Sequence, residues 1–392
     1  RAAIMTGLKP STTGLYENQH WWYPNFPKMV TIPVRFRQSG YLVYGSGKIF
    51  HHTAGNNPPR QWNAFKRLLF RDDPWFRGSK LNYPWTQNTH KPEGFPFSEV
   101  KGLPDENDWG VIRVANDDLD DVRTADFAVR FLKAKQDNPF FLFVSFNAVH
   151  TPMEAPNQLI SQFPEIKNKK RQKLAAMTLS LDNAVGSILD NLKALNLDED
   201  TIIFFLNDNG GATINASDNG PLRGMKGSKW EGGIRVPYVV KWMNSLTPSQ
   251  YKHPVSTLDI VSTAIAVAGG EKKGKLDGIN LMPFLDGTNL EKPHEALYWR
   301  RGPAGAVRYG DWKLIRVDNQ PPLLFNLEQD LGETTNLAPH YPQQVNHMLS
   351  LYDQWEEGLA EPLWISEKIW RDRQVAKHKM DVIGREAERK IP

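Results

Sequence analysis

The 392-residue chain contains no cysteine, so these residues can supply no disulfide framework, no thiolate zinc site and no cysteine nucleophile. It also lacks any run approaching the ~20 apolar residues of a membrane helix. Its strongest apolar runs are FFLFVSF at 140–146 and TIIFFL at 201–206, so no membrane span is expected. Charge of one sign is scarce too. The 48 basic and 44 acidic residues leave a formal +4, too small and too scattered for a nucleic-acid footprint, and no nucleic-acid partner is expected. Two hydrolase signatures are missing, the His-Glu-x-x-His pair of zincins and the Gly-x-Ser-x-Gly elbow of serine hydrolases. The text GSGKIFHH at 45–52 invites a phosphate-loop reading and fails it: Leu42 stands where a glycine is needed, and Ile49 where a serine or threonine should follow the lysine.

What is present describes a globular protein. Hydrophobic residues make up 40% and charged residues 23%, which excludes a disordered or collagen-like chain. At roughly 150 residues per domain, the length suits one large domain and a smaller one appended. The chain opens at Arg1, directly on the helix-like text RAAIMTGL, which reads as a truncated or processed amino terminus. Any signal peptide would lie outside these residues.

Helical and strand patterns alternate along the first three quarters. Helical periodicity covers Leu119 to Lys135, Arg171 to Leu195 and Leu258 to Ala268. Two wholly apolar runs, Phe140 to Phe146 and Thr201 to Leu206, read as central strands of a parallel sheet buried on both faces. The alternation predicts an α/β fold. After Asp286-Gly287 the pattern changes to short strand-like pieces (Ala296 to Trp299, Trp312 to Val317, Leu323 to Leu327) and a helix near Gln343 to Trp355, an α+β layout. The expected division is therefore a catalytic domain at 1–288 and a smaller subdomain with an antiparallel sheet at 289–392. The charged tail after Leu363 reads as peripheral.

In open α/β sheets ligands bind beyond the carboxyl ends of the strands, which directs attention to His150 and to Asp208-Asn209. His150 alone is as readily structural. The run NDNGGATINASDNG at 207–220 reads either as a turn or as two oxygen donors for a hard cation such as calcium, which takes six to eight oxygens and would need others. Lys48 and a histidine three residues on, in a glycine-rich segment, suit an anion site or an ordinary loop. Lys226 lies between glycines that allow close backbone approach, yet in isolation reads as a solvated surface residue. The stretch Arg60 to Trp109 shows neither helical nor strand periodicity and is rich in aromatic residues. It is either a loop with packing aromatics or a rim that stacks on sugar rings, with Trp75, Trp85 and His90 as candidate substrate-binding residues.

Together these segments resemble the type I, formylglycine-dependent sulfatases, in particular arylsulfatase B-like and iduronate-type members. RAAIMTGL is similar to the continuation of the signature C-x-P-S-R-x-x-x-x-T-G, with Arg1 at its arginine and Thr6-Gly7 at its T-G. TIPVRFRQSGYLVYGSGKIFH at 31–51 resembles the family's strand and Gly-Lys-x-x-His block, and NDNGG followed by NGPLRGMKGSKWEGGIRVP at 219–237 resembles its lysine segment. More distant echoes are LDNAVGSILDNL, STLDIVSTAIAVAG, LDGINLMPFLDG, RYGDWKLI and LFNLEQDLGETTNLA. The resemblance covers nearly the whole chain except about residues 60–110.

The resemblance implies an alkaline-phosphatase-like α/β sandwich with a smaller carboxyl-terminal subdomain. It implies a sulfuric ester hydrolase acting on a sulfated carbohydrate through a formylglycine hydrate and calcium. The nucleophile would be a Cys or Ser four residues upstream of Arg1, and two further metal-binding aspartates would also lie upstream. Arg1 would orient the formylglycine hydrate, and Lys48 and Lys226 would bind sulfate oxygens. His51, in preference to His52, would assist regeneration of the aldehyde, and His150 would bind the sulfate or protonate the departing alcohol. Asp208 and Asn209 would ligate calcium. A formylglycine-generating or equivalent maturation enzyme is an implied partner, and the implied location is periplasmic or extracellular. Without its nucleophile the 392-residue chain alone is expected to be inactive. The alternatives are a phosphodiesterase or phosphonate hydrolase of the same superfamily, and a non-catalytic carbohydrate-binding relative.

Overall fold

The computed structural model of the chain describes residues 1–17, 22, 26, 28–49, 61–66, 119–134, 137–151, 153–270, 274–363 and 368–382. Strands β1 (Leu42–Gly47), β2 (Ala64–Lys66) and β3 (Phe140–Ser145) form a parallel sheet in the order β2-β1-β3. Parallel neighbours need a crossover connection, and the helix Asp120–Lys133 lies on the one that leads into β3. Its Phe131 and Leu132 pack with Leu192 of the long helix Lys169–Ala194 against Tyr44, Phe140 and Leu142. On the opposite face, Met5, Ile32, Phe36, Val261, Ala264 and Ile265 close over Val43. Helices thus cover both faces of β1, the layering that a parallel sheet requires.

Strands β4 (Ile203–Leu206) and β5 (Tyr238–Lys241) form a separate antiparallel pair. Beyond them β6 (Ala296–Arg301), β7 (Ala304–Tyr309), β8 (Trp312–Val317) and β9 (Leu323–Asn326) make an antiparallel meander in sequence order. Alternation along these strands builds two cores from one sheet. Ala304, Ala306, Ile315, Val317 and Phe325 face Trp230. Val307, Leu314 and Leu324 face Val345, Met348 and Tyr352 of the helix Pro342–Glu357.

Three expectations need correction. The runs at 140–146 and 201–206 are strands, but not doubly buried neighbours in one sheet: every residue of β3 is partly exposed, Phe205 is 40% exposed, and β4 runs antiparallel to its partner β5. Apolar text states what a strand tolerates at its faces, not which edges are paired, and β3 has one hydrogen-bonded neighbour among the described residues. Within the stretch beginning at Arg60, residues 64–66 form β2, too short a strand for its period to register. The tail after Leu363 is not peripheral as a whole. Its helix Lys368–Lys377 leads to His378, which is 1% exposed, stacks on Trp230 with ring centroids 6.2 Å apart, and accepts a hydrogen bond at Nε2 from the Lys229 backbone at 2.8 Å.

Candidate active site

Lys48 follows the last residue of β1, and its neighbours fix it there. Gly47 has φ +86°, and a Cβ at that position would stand 2.0 Å from the Ser145 carbonyl oxygen, so only glycine lets β1 and β3 close together. Beyond it the Lys48 N–H donates to the Ser145 carbonyl at 2.8 Å, and the Ser145 hydroxyl donates back to the Lys48 carbonyl at 2.7 Å. The Arg1 guanidinium donates to that same Lys48 carbonyl, to Ser145 Oγ at 3.4 Å and to Asp208 Oδ2 at 3.0 Å. Arg1 therefore ties together the carboxyl ends of β1, β3 and β4. Lys48 is 5% exposed; burial, then the charges of Arg1 and Lys226, lower its pKa to about 7 against the opposing pull of Asp208.

His150 is positioned by the turn after β3. The backbone N–H groups of Asn147 and Ala148 donate to the Asp121 carboxylate at 2.7 and 3.0 Å, and the His150 N–H donates to the Asn147 carbonyl at 2.8 Å. Burial pushes the Asp121 carboxyl above its ordinary value, while the two N–H bonds hold it down in part. His150 Nδ1 lies 2.7 Å from the Thr151 carbonyl oxygen. A carbonyl only accepts, so the proton of the neutral ring sits on Nδ1 and Nε2 keeps its lone pair. Burial, then Lys48 and Lys226, lower the imidazole pKa to about 4, so the ring is neutral at physiological pH when no anion is near.

Asp208 and Asn209 follow β4, and Asn209 Nδ2 donates to Asp208 Oδ1. Asn219 binds this turn to the lysine loop: its Oδ1 accepts from the Gly211 N–H at 2.8 Å, and its Nδ2 donates to the carbonyls of Gly211 at 2.9 Å and Gly224 at 3.1 Å. At Gly210 a Cβ would meet the Gly232 carbonyl oxygen at 1.8 Å, so the two segments run in direct backbone contact. The Lys226 N–H donates to the Gly211 carbonyl at 3.2 Å. Burial lowers the Lys226 pKa, Asp208 raises it, and Arg1 and Arg301 lower it further. Asp208 and Asn209 fit a hard divalent cation in kind but not in number. Two oxygen-bearing side chains fall short of six to eight ligands, and no group of three His, Asp or Glu suited to a metal occurs among the described residues.

The Lys226 loop is anchored from below. Lys313, 0% exposed, bridges Glu231 at 2.8 Å and Glu333 at 2.7 Å, and the Glu333 carboxylate accepts the Glu231 N–H at 2.6 Å. Trp230 donates its indole N–H to the Lys377 carbonyl at 2.7 Å and lies under the Arg223 guanidinium, 4.6 Å away. These contacts join KWEGG, RYGDWKLI and LGETTNLA, three of the segments that carried the resemblance.

Arg1, Lys48, His150, Asp208, Asn209 and Lys226 line one cleft at the strand ends. His51, Trp75, Trp85 and His90 lie outside the described residues. Sequence reasoning missed Asp121, Ser145, Asn219, Glu231, Lys313 and Glu333. Only Ser145, at the tip of an apolar strand, carried a local signal.

Cations clustered at the strand ends of a helix-covered α/β sheet suit the binding of an anionic ester. Residues 1–270 match the sulfatase family, and the chain belongs to it. It is 25% identical to N-acetylgalactosamine-6-sulfatase of Homo sapiens over 92% of this chain and 76% of that protein. To steryl-sulfatase of Mus musculus it is 31% identical over 59% of this chain and 43% of that protein. The chain thus spans three quarters of one relative's length and less than half of the other's. The crystal structure of Ps i-CgsB in complex with k-i-k-neocarrahexaose matches with a TM-score of 0.75 and 28% identity, covering 97% of this chain and 87% of that one. The mixed α/β, alkaline-phosphatase-like fold expected from the sequence is the fold found.

Proposed function

We propose that this protein is a sulfuric ester hydrolase that removes sulfate from a sulfated carbohydrate. The observation that carries this reading is the meeting of Arg1, Lys48, His150 and Lys226 in one cleft, although 225 residues separate the first from the last. A sulfuryl group stays anionic as its ester bond breaks, so its transfer depends on positioned positive charge and a placed proton donor. Lys48 and Lys226 supply that charge, held by backbone bonds before substrate arrives. Arg1 is set between the Lys48 carbonyl and Asp208, where it orients the groups around it. A sulfate ester between the two lysines offsets the charges that depress His150. Its Nε2 then takes up a proton more readily and can pass it to the departing alcohol.

In this reading a formylglycine residue would supply the nucleophile, and a bound calcium ion would supply further positive charge. Asp208 and Asn209 would be two of the calcium ligands. A formylglycine-generating or equivalent enzyme would mature the protein, which would work in the periplasm or outside the cell. The reading also keeps a catalytic domain at 1–288 and a subdomain at 289–392. Among the described residues no helix is long and apolar enough to cross a membrane. The carbohydrate class is supported by the names of two relatives, an N-acetylgalactosamine-6-sulfatase and a structure holding a neocarrahexaose.

Sulfate release from a sulfated oligosaccharide by the whole protein, with Lys226→Ala beside wild type, tests the reading. Removing one pre-organised cationic donor should lower turnover by about 10² to 10³. A variant within about threefold of wild type would remove Lys226 from the chemistry.

A further inference from the structure

The helix Lys368–Lys377 reaches the candidate active site, since Lys377 Nζ donates to the Lys226 carbonyl at 3.2 Å. One side of the helix is committed to packing, with Gln374 buried and Val375 set against the Trp230 cluster. Trp370, Arg373 and Lys377 follow at spacings of three and four residues, which places them on one stripe beside that packed face. The stripe is about 10 Å long at 1.5 Å per residue, too long for a lone sulfate and long enough for more than one sugar ring.

Each member suits a sulfated sugar. Trp370 is 39% exposed, and the Arg373 guanidinium lies over its ring at 4.5 Å. Arg373 has no acidic partner among the described residues, and its Nε is buried without an acceptor. Arg301 continues the stripe: a methyl on Gly227 would stand 3.3 Å from Lys377 Nζ and 3.7 Å from Arg301 Nη1, so both cations overhang the backbone one residue past Lys226. Arg301 is paired with the Glu17 carboxylate at 2.8 Å. Lys226 and the buried Lys229 are close by, and Lys229 is lowered to about 7 by burial and then by Arg301, with Glu17 opposing. Crowding of like charge opposes folding and is offset when an anion binds. Through Lys377 and Arg301 the stripe adjoins the Lys226 loop.

We propose that the Trp370–Arg373–Lys377 stripe, continued by Arg301, is a second subsite beside the sulfate-binding lysines, which takes a neighbouring sugar that bears its own sulfate. The subsite rests on the reading that the substrate is a sulfated carbohydrate. It makes the enzyme selective for chains sulfated on consecutive sugars.

The test is calorimetric binding of two hexasaccharides of one backbone to the 392-residue chain, one with a single sulfate and one with a second sulfate on the adjoining sugar. Wild type should prefer the second by about tenfold, the worth of one charge-assisted contact. Arg373→Ala should collapse that ratio, and Arg373→Lys, which keeps the charge, should retain most of it. A wild-type ratio near one would overturn the subsite, as would an Arg373→Ala loss equal for both ligands, which would mean the helix only supports Lys226. Equally tight binding of a single-stranded oligonucleotide would overturn it in favour of general polyanion affinity. Absence of sulfate release would defeat the proposed function instead, and the binding ratio would still decide this question.

Discussion

Replacing Lys313 by methionine is the sharpest perturbation of the support under Lys226. The ammonium is fully buried between Glu231 and Glu333, with Arg308 a further 3.8 Å from Glu231. Burial alone would raise both carboxyls. At Glu231 burial is the largest influence, but the charge and hydrogen bond of Lys313 together with Arg308 and Arg235 bring the pKa below its ordinary value; at Glu333 burial prevails and the pKa stays above it. Methionine matches the stem in shape but removes the one buried ammonium between the two carboxylates, leaving Glu231 to the more distant Arg308 and Arg235. Removing one partner from a buried ionic group costs about 3 to 5 kcal/mol. The pH dependence carries the diagnostic sign. With Lys313 gone, both carboxyls should titrate in the folded state above the unfolded value of about 4.3, so the folded variant binds more protons than its unfolded chain. The penalty should therefore be largest near neutral pH and shrink as pH falls towards about 5. Urea unfolding at the two pH values, followed by circular dichroism, measures this. A variant within about 1 kcal/mol of wild type at both values, or one whose penalty grows on acidification, would refute the reasoning.

Two further outcomes follow from the site. Lys48 has a pKa of about 7 in the free cleft and must be protonated to hold an anion, so sulfate affinity should fall as pH rises through about 7. Lys48→Arg, charged throughout, should keep its affinity into the alkaline range; a flat wild-type profile by calorimetry would contradict the assignment. Gly47→Ala forces a side chain onto a positive-φ residue against the Ser145 carbonyl, and should cost at least about 2 kcal/mol in urea unfolding. Wild-type stability in that variant would show that β1 and β3 separate freely there.

Local pattern and long-range pairing divide what could be read from the chain. Helical periodicity located Lys169–Ala194 and Asp259–Val267 to within a residue or two, because each buries one stripe against a layer already implied by the α/β alternation. Strand β7, AGAVRY, escaped notice: its small residues carry little apolar signal, and their burial comes from the sheet's neighbours on both faces. The helix Lys368–Lys377 looked solvated because its composition is charged, while its buried members, Gln374 and the adjoining His378, are polar. At the site, His150 and Asp208 drew attention because they follow strand-like runs, whereas Arg1, Lys48 and Lys226 were singled out through the resemblance to the sulfatases, their local text reading equally as loop or surface. Asp121, Asn219 and the Glu231–Lys313–Glu333 group were not legible. A carboxylate that caps a distant turn, or a lysine buried between acids from segments far apart, has the same local text as a surface charge. Only the fold says which is which.

The account stands on Lys48, Lys226 and His150 gripping one sulfate in a common cleft, and a crystal structure of the protein with sulfate bound tests that directly. The expected result is a single sulfate within hydrogen-bonding distance of both lysine ammonium groups and of the His150 ring, with Arg1 still bound to Asp208. A sulfate held elsewhere, with Lys48 and Lys226 turned away from each other, would contradict it.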